Sequence, residues 1–224
     1  MINCFSIYLL DKLEKFVANK KRYYISKENA SFLKKYHLSN DFNISGKKQD
    51  YNGYQGTPIN LCKCLLKSSI LQKSDTILDV GCGAGIFISY FLSNNFLNIS
   101  GVEIDESLCA AAIKNITNVA SKEKIVYKGK IYNSDFFELN CIDEYNVFYI
   151  FNSFNSEKAY FEFLERIKMS FIAKPRKIKL IFLYLNAISK KVLNCQNWIT
   201  KTRSISDNAQ FCNMCIKFTI YESI

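Results

Sequence analysis

The segment Thr76-Ile77-Leu78-Asp79-Val80-Gly81-Cys82-Gly83-Ala84-Gly85 constrains this chain more than any other. A short apolar run is halted by glycines at alternate positions, as at the end of a buried parallel strand. Glycine lets that backbone turn sharply and lets a ligand approach without meeting a Cβ. Ile86 to Leu92 then reads as a helix, so the turn joins a strand to a helix. In an open α/β sheet such a junction lies at the carboxyl ends of the strands, where ligands bind.

Strand and helix keep alternating along the chain. Asn60 to Ser69 reads as a helix ahead of the first strand. Ile99 to Ile104 is the second strand and Ser107 to Val119 the next helix, followed by a third strand over Lys130 to Asn133. Tyr145 to Phe151 is almost wholly apolar and is expected at the centre of the sheet. Ser156 to Phe171 reads as helix and Ile178 to Leu185 as the fifth strand. Trp198 to Ile205 and Phe211 to Tyr221, split by Ser206-Asp207-Asn208, read as a hairpin. Five β–α alternations and a hairpin predict a doubly wound, mostly parallel Rossmann-like α/β sheet with an antiparallel C-terminal hairpin.

The first part of the chain has a different texture. Ile7, Leu10, Leu13, Phe16 and Val17 recur at helical spacing, and Ser26 to Tyr36 offers a second helix with Ser26 as its N-cap. Turn-prone residues fill His37 to Gly56. The expected organisation is a small helical cap with a covering loop over 1–58, then the main α/β domain over 59–224.

Thirty basic residues against 20 acidic ones give a net charge of +10, which favours anionic partners. The charges are dispersed, so nucleic acid is a possible partner but not the favoured one. Nine cysteines without regular spacing make a poor disulfide framework and fit a reducing cytoplasm. Cys62-x-Cys64 and Cys212-x-x-Cys215 lack the glycine-rich setting of a zinc knuckle, so no metal is expected. No uninterrupted apolar stretch is long enough to span a bilayer. Cys4 to Leu10 runs into Asp11-Lys12-Leu13-Glu14-Lys15 with no basic region before it, unlike a signal peptide.

Three elements carry the chemistry. In the first, Gly81, Gly83 and Gly85 follow the pattern G-x-G-x-G, not the G-x-G-x-x-G that seats a pyrophosphate at a helix N-terminus. Asp79 would repel an anion at this turn and suits a ligand carrying ammonium and sulfonium charges. In the second, Glu103 lies 22 positions after Gly81 at the end of the second strand, where a carboxylate can accept both ribose hydroxyl hydrogens. Ile104 stands beside it. In the third, Asp135 follows the third strand and can accept from an adenine amino group, with Phe136 against the ring. Its competing reading is the cap of a short helix.

These residues together resemble the class I S-adenosylmethionine-dependent methyltransferases over roughly Tyr54 to Asn186. The run from Ile77 through Gly81, Cys82 and Gly83 to Gly85 looks like their first motif, which cradles the methionine end and the ribose. Glu103 matches the acid that grips the ribose, and Asp135 the acid near adenine. Tyr54-Gln55-Gly56-Thr57-Pro58 is similar to a tyrosine–threonine–proline loop of one bacterial subset. That likeness implies that Tyr54 and Thr57 close over the methionine portion of S-adenosylmethionine.

Amino-group methyltransferases often carry Asn-Pro-Pro-aromatic or Asn-Pro-Phe after the fourth strand, and Phe151-Asn152-Ser153-Phe154 is similar to it. Asn152 could hold an acceptor nitrogen through its carbonyl while an aromatic ring stacks on the acceptor. Ser153 replaces the usual proline, and Leu185-Asn186-Ala187 lacks the proline that the bacterial subset tends to show. Asn152 has a second reading as the cap of the helix near Ser156. Tyr54, Asn152 and Tyr184 are the polar groups that topology places nearest an acceptor, with Tyr54 and Asn152 as the catalytic candidates. His37, the single histidine, is read as a surface residue. The resemblance implies methyl transfer to a nitrogen of a protein side chain or a small metabolite. Methylation of nucleic acid and a catalytically silent cofactor-binding scaffold are the alternatives.

Overall fold

The computed structural model describes residues 27–46, 50–206 and 217–224. Helix α1 (27–36) and a loop lead to α2 (Ile59–Lys67). The core alternates β1 (Ile77–Val80), α3 (Ile86–Leu92), β2 (Ile99–Glu103), α4 (Glu106–Glu123) and β3 (Ile131–Asn133). It continues through β4 (Val147–Phe151), α5 (Glu157–Ala173), β5 (Lys179–Leu183) and α6 (Ala187–Asn194), and ends in β6 (Ile199–Ser206) and β7 (Lys217–Ser223).

The seven strands form one sheet in the order β3-β2-β1-β4-β5-β7-β6. Strands β1 to β5 run parallel, and β7 joins β5 antiparallel with β6 outside it. The order reverses between β1 and β4, so the crevice of this doubly wound sheet opens at their carboxyl ends. The expected class and hairpin are both present. The hairpin's turn, the helix over Ile7 to Val17, the Ser26 cap and the Cys212/Cys215 pair lie outside the described residues.

Side-chain alternation along the strands sorts the core into two layers. Ile77, Val147, Tyr149, Ile181 and Leu183 face the layer of α2, α3 and α4. Leu78, Val80, Phe148, Ile150, Leu180 and Phe182 face the layer of α5 and α6. Every β1 residue is buried, as befits a strand covered on both faces. Helix starts follow capping chemistry: Asp105 accepts from Leu108 N at 3.0 Å, Ser156 from Ala159 N at 3.1 Å and Asn186 from Ser189 N at 2.8 Å.

Two departures from the sequence reading stand out. No α-helix joins β3 to β4; two 3-10 turns, Phe136–Glu138 and Ile142–Glu144, make that crossover instead. Conversely, α6 had no counterpart in the sequence reading, although the Asn186 cap and the spacing of Ile188, Val192 and Leu193 encode it. Among the described residues, no helix is long and apolar enough to cross a membrane.

At the opposite, amino-terminal ends of the central strands, Lys179 Nζ lies 2.9 Å from Asp75 Oδ2, with side chains only 13% and 6% exposed. Asn146 Nδ2 donates to the other Asp75 oxygen at 2.9 Å, and Gln72 N donates at 2.9 Å. This network pins the entries of β1, β4 and β5 together. Because removing one partner strands a buried charge, Asp75→Ala should cost about 3 kcal/mol, measured by urea unfolding. A loss below about 1 kcal/mol would mean the pair behaves as a solvated surface bridge.

Candidate functional site

The glycine turn is built as its spacing demands. Gly81, Gly83 and Gly85 have φ of 74°, 52° and 69°, all in the left-handed region. Gly81 N and Cys82 N both donate to Val102 O, at 2.9 and 3.0 Å, so the turn hangs on the end of β2. A Cβ on Gly83 would stand 2.3 Å from the Tyr54 ring, and one on Gly81 would stand 3.0 Å from Ser153 Oγ. The glycines therefore admit neighbouring side chains of this chain.

Asp79 sits beneath the turn, 3% exposed, with no hydrogen bond or ion pair among the described residues. Burial, with the Glu103 charge nearby, pushes its carboxyl well above the usual carboxylate range. Glu103 closes the other side: Gly83 N donates to its Oε2 and Asp105 N to its Oε1, each at 2.9 Å. Burial still raises its carboxyl overall, although those backbone donors pull the other way.

A cleft of about 670 Å³, its open mouth included, runs past Gly81, Val102, Glu103, Ile104, Ser134 and Phe136 toward Asn152. Tyr51, Asn52, Tyr54 and Gln55 roof it. Its described lining includes the acidic residues Glu103 and Asp105, the latter capping α4, and no lysine or arginine. The sequence reading missed the roof residues Tyr51 and Asn52. Their only local signal is proximity to Tyr54, because their partners are a hundred residues away.

The roof is stitched to the loop after β4. Tyr51 pairs with Phe154 in an antiparallel bridge, and Asn155 N donates to Asp50 O at 3.0 Å. Asn52 Nδ2 donates to Phe154 O at 2.9 Å and to Asn152 Oδ1 at 3.1 Å. Asn152 adopts φ 53° and borders the cleft, its Nδ2 donating to Gln55 Oε1 at 3.3 Å. It does not cap α5, since Ser156 does. Ser153 Oγ donates to Val80 O at 2.6 Å, tying the β4 turn to the end of β1 where a proline would otherwise stiffen it.

Three site expectations need correction. Phe154 is 0% exposed, packed among Tyr51, Phe137, Tyr160 and Phe163, so its ring is not available to stack on an acceptor. Thr57 does not line the cleft; its hydroxyl is buried 3.0 Å from Tyr149 OH, inside the sheet layer. Asp135 acts as the cap of its short helix, with Oδ1 accepting from Phe137 N at 3.0 Å and from Tyr51 OH at 2.6 Å. Its ring neighbour Phe136 does line the cleft. Cys82 and Gly85 shape the turn from behind: the Cys82 side chain packs against Gly101, and Gly85 abuts Ala112. Tyr184 is 49% exposed at the end of β5, not a core residue. The described residues contain no cluster that could hold a metal.

No protein-family model matches the chain, and no curated protein matches it in sequence. Solved structures do match. An RNA methyltransferase from Salinibacter ruber, in complex with S-adenosyl-L-homocysteine, superposes with TM-score 0.52 at 15% identity, covering 75% of this chain and 92% of that one. TrmI, a tRNA methyltransferase from Aquifex aeolicus, gives TM-score 0.55 at 15% identity, covering 82% and 73%. TrmN from Thermus thermophilus gives 0.56 at 13% identity, covering 75% of this chain and 49% of that one. The fold of this chain is thus the Rossmann-like fold of class I methyltransferases.

Proposed function

We propose that this chain is an S-adenosylmethionine-dependent methyltransferase acting on a nitrogen of a protein side chain or a small metabolite. The observation that carries the reading is the buried, unpartnered Asp79 under the glycine turn, with Glu103 beside it. A buried carboxyl without a partner is relieved by taking up a proton or by a cation, and the cofactor's methionine end offers a cation, an ammonium next to a sulfonium. The Salinibacter ruber enzyme of the same fold holds S-adenosyl-L-homocysteine, which supports the same choice here.

In this reading Asp79 and the turn backbone take the methionine end. Glu103 takes the ribose, and Ile104 and Phe136 flank the adenine. When bound, the cofactor supplies an activated methyl on a good leaving group. The protein's work is alignment and exclusion of water. Tyr54 and the roof close the methionine end, carried by the described segments 27–46 and 50–58. Asn152, held by Asn52 and Gln55, keeps its half-exposed amide at the cleft edge to orient an acceptor nitrogen. An amine arriving neutral needs no strong base.

The two solved relatives described as RNA and tRNA methyltransferases make nucleic acid the natural rival acceptor. A cleft lined by carboxylates without a described cation favours an amine over a phosphate backbone. The test incubates the protein with methyl-labelled S-adenosylmethionine and, separately, soluble protein, small metabolites and total RNA. Label in protein or metabolites is the expected result, and label confined to RNA would replace the acceptor assignment. Glu103→Ala should weaken S-adenosylmethionine binding by about 1.5–3 kcal/mol, the scale of hydrogen bonds to a charged group. Unchanged affinity by calorimetry would remove Glu103 from the site.

A further inference from the structure

Helix α4 turns one face toward the glycine turn. A Cβ on Gly85 would meet Ala112 Cβ at 3.0 Å and Ile116 Cδ1 at 3.6 Å. Between them in sequence stands Asn115, a polar side chain with 0% exposure. Burying an amide in a helix interior is costly unless its groups are paired, and an apolar residue could fill such a position. Asn115 is paired three times. Its Oδ1 accepts from Ser39 N at 2.9 Å, and its Nδ2 donates to Ser39 O at 2.8 Å and to Ala84 O at 2.9 Å. The first two bonds hold the loop after α1 as a neighbouring strand would. The third holds the residue between Gly83 and Gly85.

The next residue extends the connection. Asn40 Oδ1 accepts from the Tyr54 hydroxyl, and the Tyr54 ring lies over Gly83. A Cβ on Gly56 would stand 2.2 Å from that same Asn40 oxygen, so the loop closes tightly around the contact. One helix residue thus fixes both the floor of the proposed cofactor site, through Ala84, and its cover, through Ser39, Asn40 and Tyr54. We propose that Asn115 is a positioning residue for cofactor capture, holding the glycine turn and the Tyr54 cover in one frame. The proposal rests on the cofactor reading above.

Two variants separate this role from a simple folding tie. Asn115→Ala cuts all three bonds, whereas Asn40→Ala cuts only the Tyr54 anchor and leaves Asn115 paired. Both should raise the dissociation constant for S-adenosylhomocysteine about tenfold or more, mainly through faster dissociation. Asn40→Ala should do so while melting like the wild type. Amide exchange of 38–46 and 50–56 in the ligand-free protein should quicken in Asn115→Ala. Wild-type affinity in either variant would overturn the proposal, as would unchanged exchange in Asn115→Ala. If the wild-type protein itself fails to bind S-adenosylhomocysteine, the cofactor reading fails and capture with it. The exchange data then decide only whether Asn115 frames the loop.

Discussion

Phe154→Ala should destabilise the folded chain by about 3–5 kcal/mol, the cost of deleting a large buried aromatic side chain. Phe154 is fully buried, and four rings surround it with centroids 5.5 to 5.8 Å away. Those rings come from the roof, the turn after β3 and helix α5, so the cavity would open where three segments converge. Collapse is resisted because Phe163 also packs against Phe136 and Phe182. The effect should appear in urea or thermal unfolding of the protein without any ligand. An aromatic group that stacked on an acceptor would behave otherwise: its removal would leave unfolding unchanged and abolish only methyl transfer. A loss under about 1 kcal/mol would therefore restore the stacking role that the burial of Phe154 argues against.

The second large effect concerns Asp79 and pH. Burial raises its carboxyl well above the usual range in the ligand-free protein, and Glu103 is raised as well. A carboxyl whose folded value exceeds its unfolded value stabilises fully below the unfolded value, about 4. That contribution is lost as pH rises through the folded value. Ligand-free stability should therefore decline with rising pH across this window. Binding a ligand whose ammonium faces Asp79 reverses the preference, because the cation favours the ionised carboxylate. Affinity for S-adenosylmethionine should rise with pH up to the ligand-free Asp79 value and then level off. Binding below that plateau should release protons, seen as a dependence of the calorimetric enthalpy on buffer ionisation. Asp79→Asn should flatten the pH profile and weaken binding by about 2–4 kcal/mol, as expected for a desolvated charge pair losing one member. Affinity that falls with rising pH, or an Asp79→Asn variant that binds as tightly, would contradict this placement.

The sheet was readable because its determinants are local. The apolar runs of β1 and β4 fall between turn residues, and Ile86 to Leu92 was bounded correctly by the glycines before it. The backbone of the glycine turn and the place of Glu103 at the end of β2 were readable for the same reason, since backbone conformation and strand ends leave marks in short segments. What failed depends on contacts distant in sequence. Phe154 looks like any exposed aromatic after a strand until Tyr51 pairs with it across a hundred residues. The role of Asp135 turned on Tyr51 too, whose hydroxyl takes an oxygen that the sequence left free for adenine. Thr57 was misplaced because no periodicity shows that Tyr149 points back at it from the sheet. Asn115 carries no local signal at all: an asparagine in a helix reads as surface until Ser39 and Ala84 surround it. Helix α6 was legible and overlooked, its cap and apolar spacing both lying within nine residues.

The proposed seat of S-adenosylmethionine is the turn from Asp79 to Gly85, with Glu103. Calorimetric titration of the wild-type protein with S-adenosylmethionine and S-adenosylhomocysteine tests it most directly. Both should bind one-to-one with dissociation constants on the order of micromolar, a free energy of roughly −8 kcal/mol. No detectable heat with either ligand at high protein concentration, across buffers of different ionisation enthalpy, would contradict it.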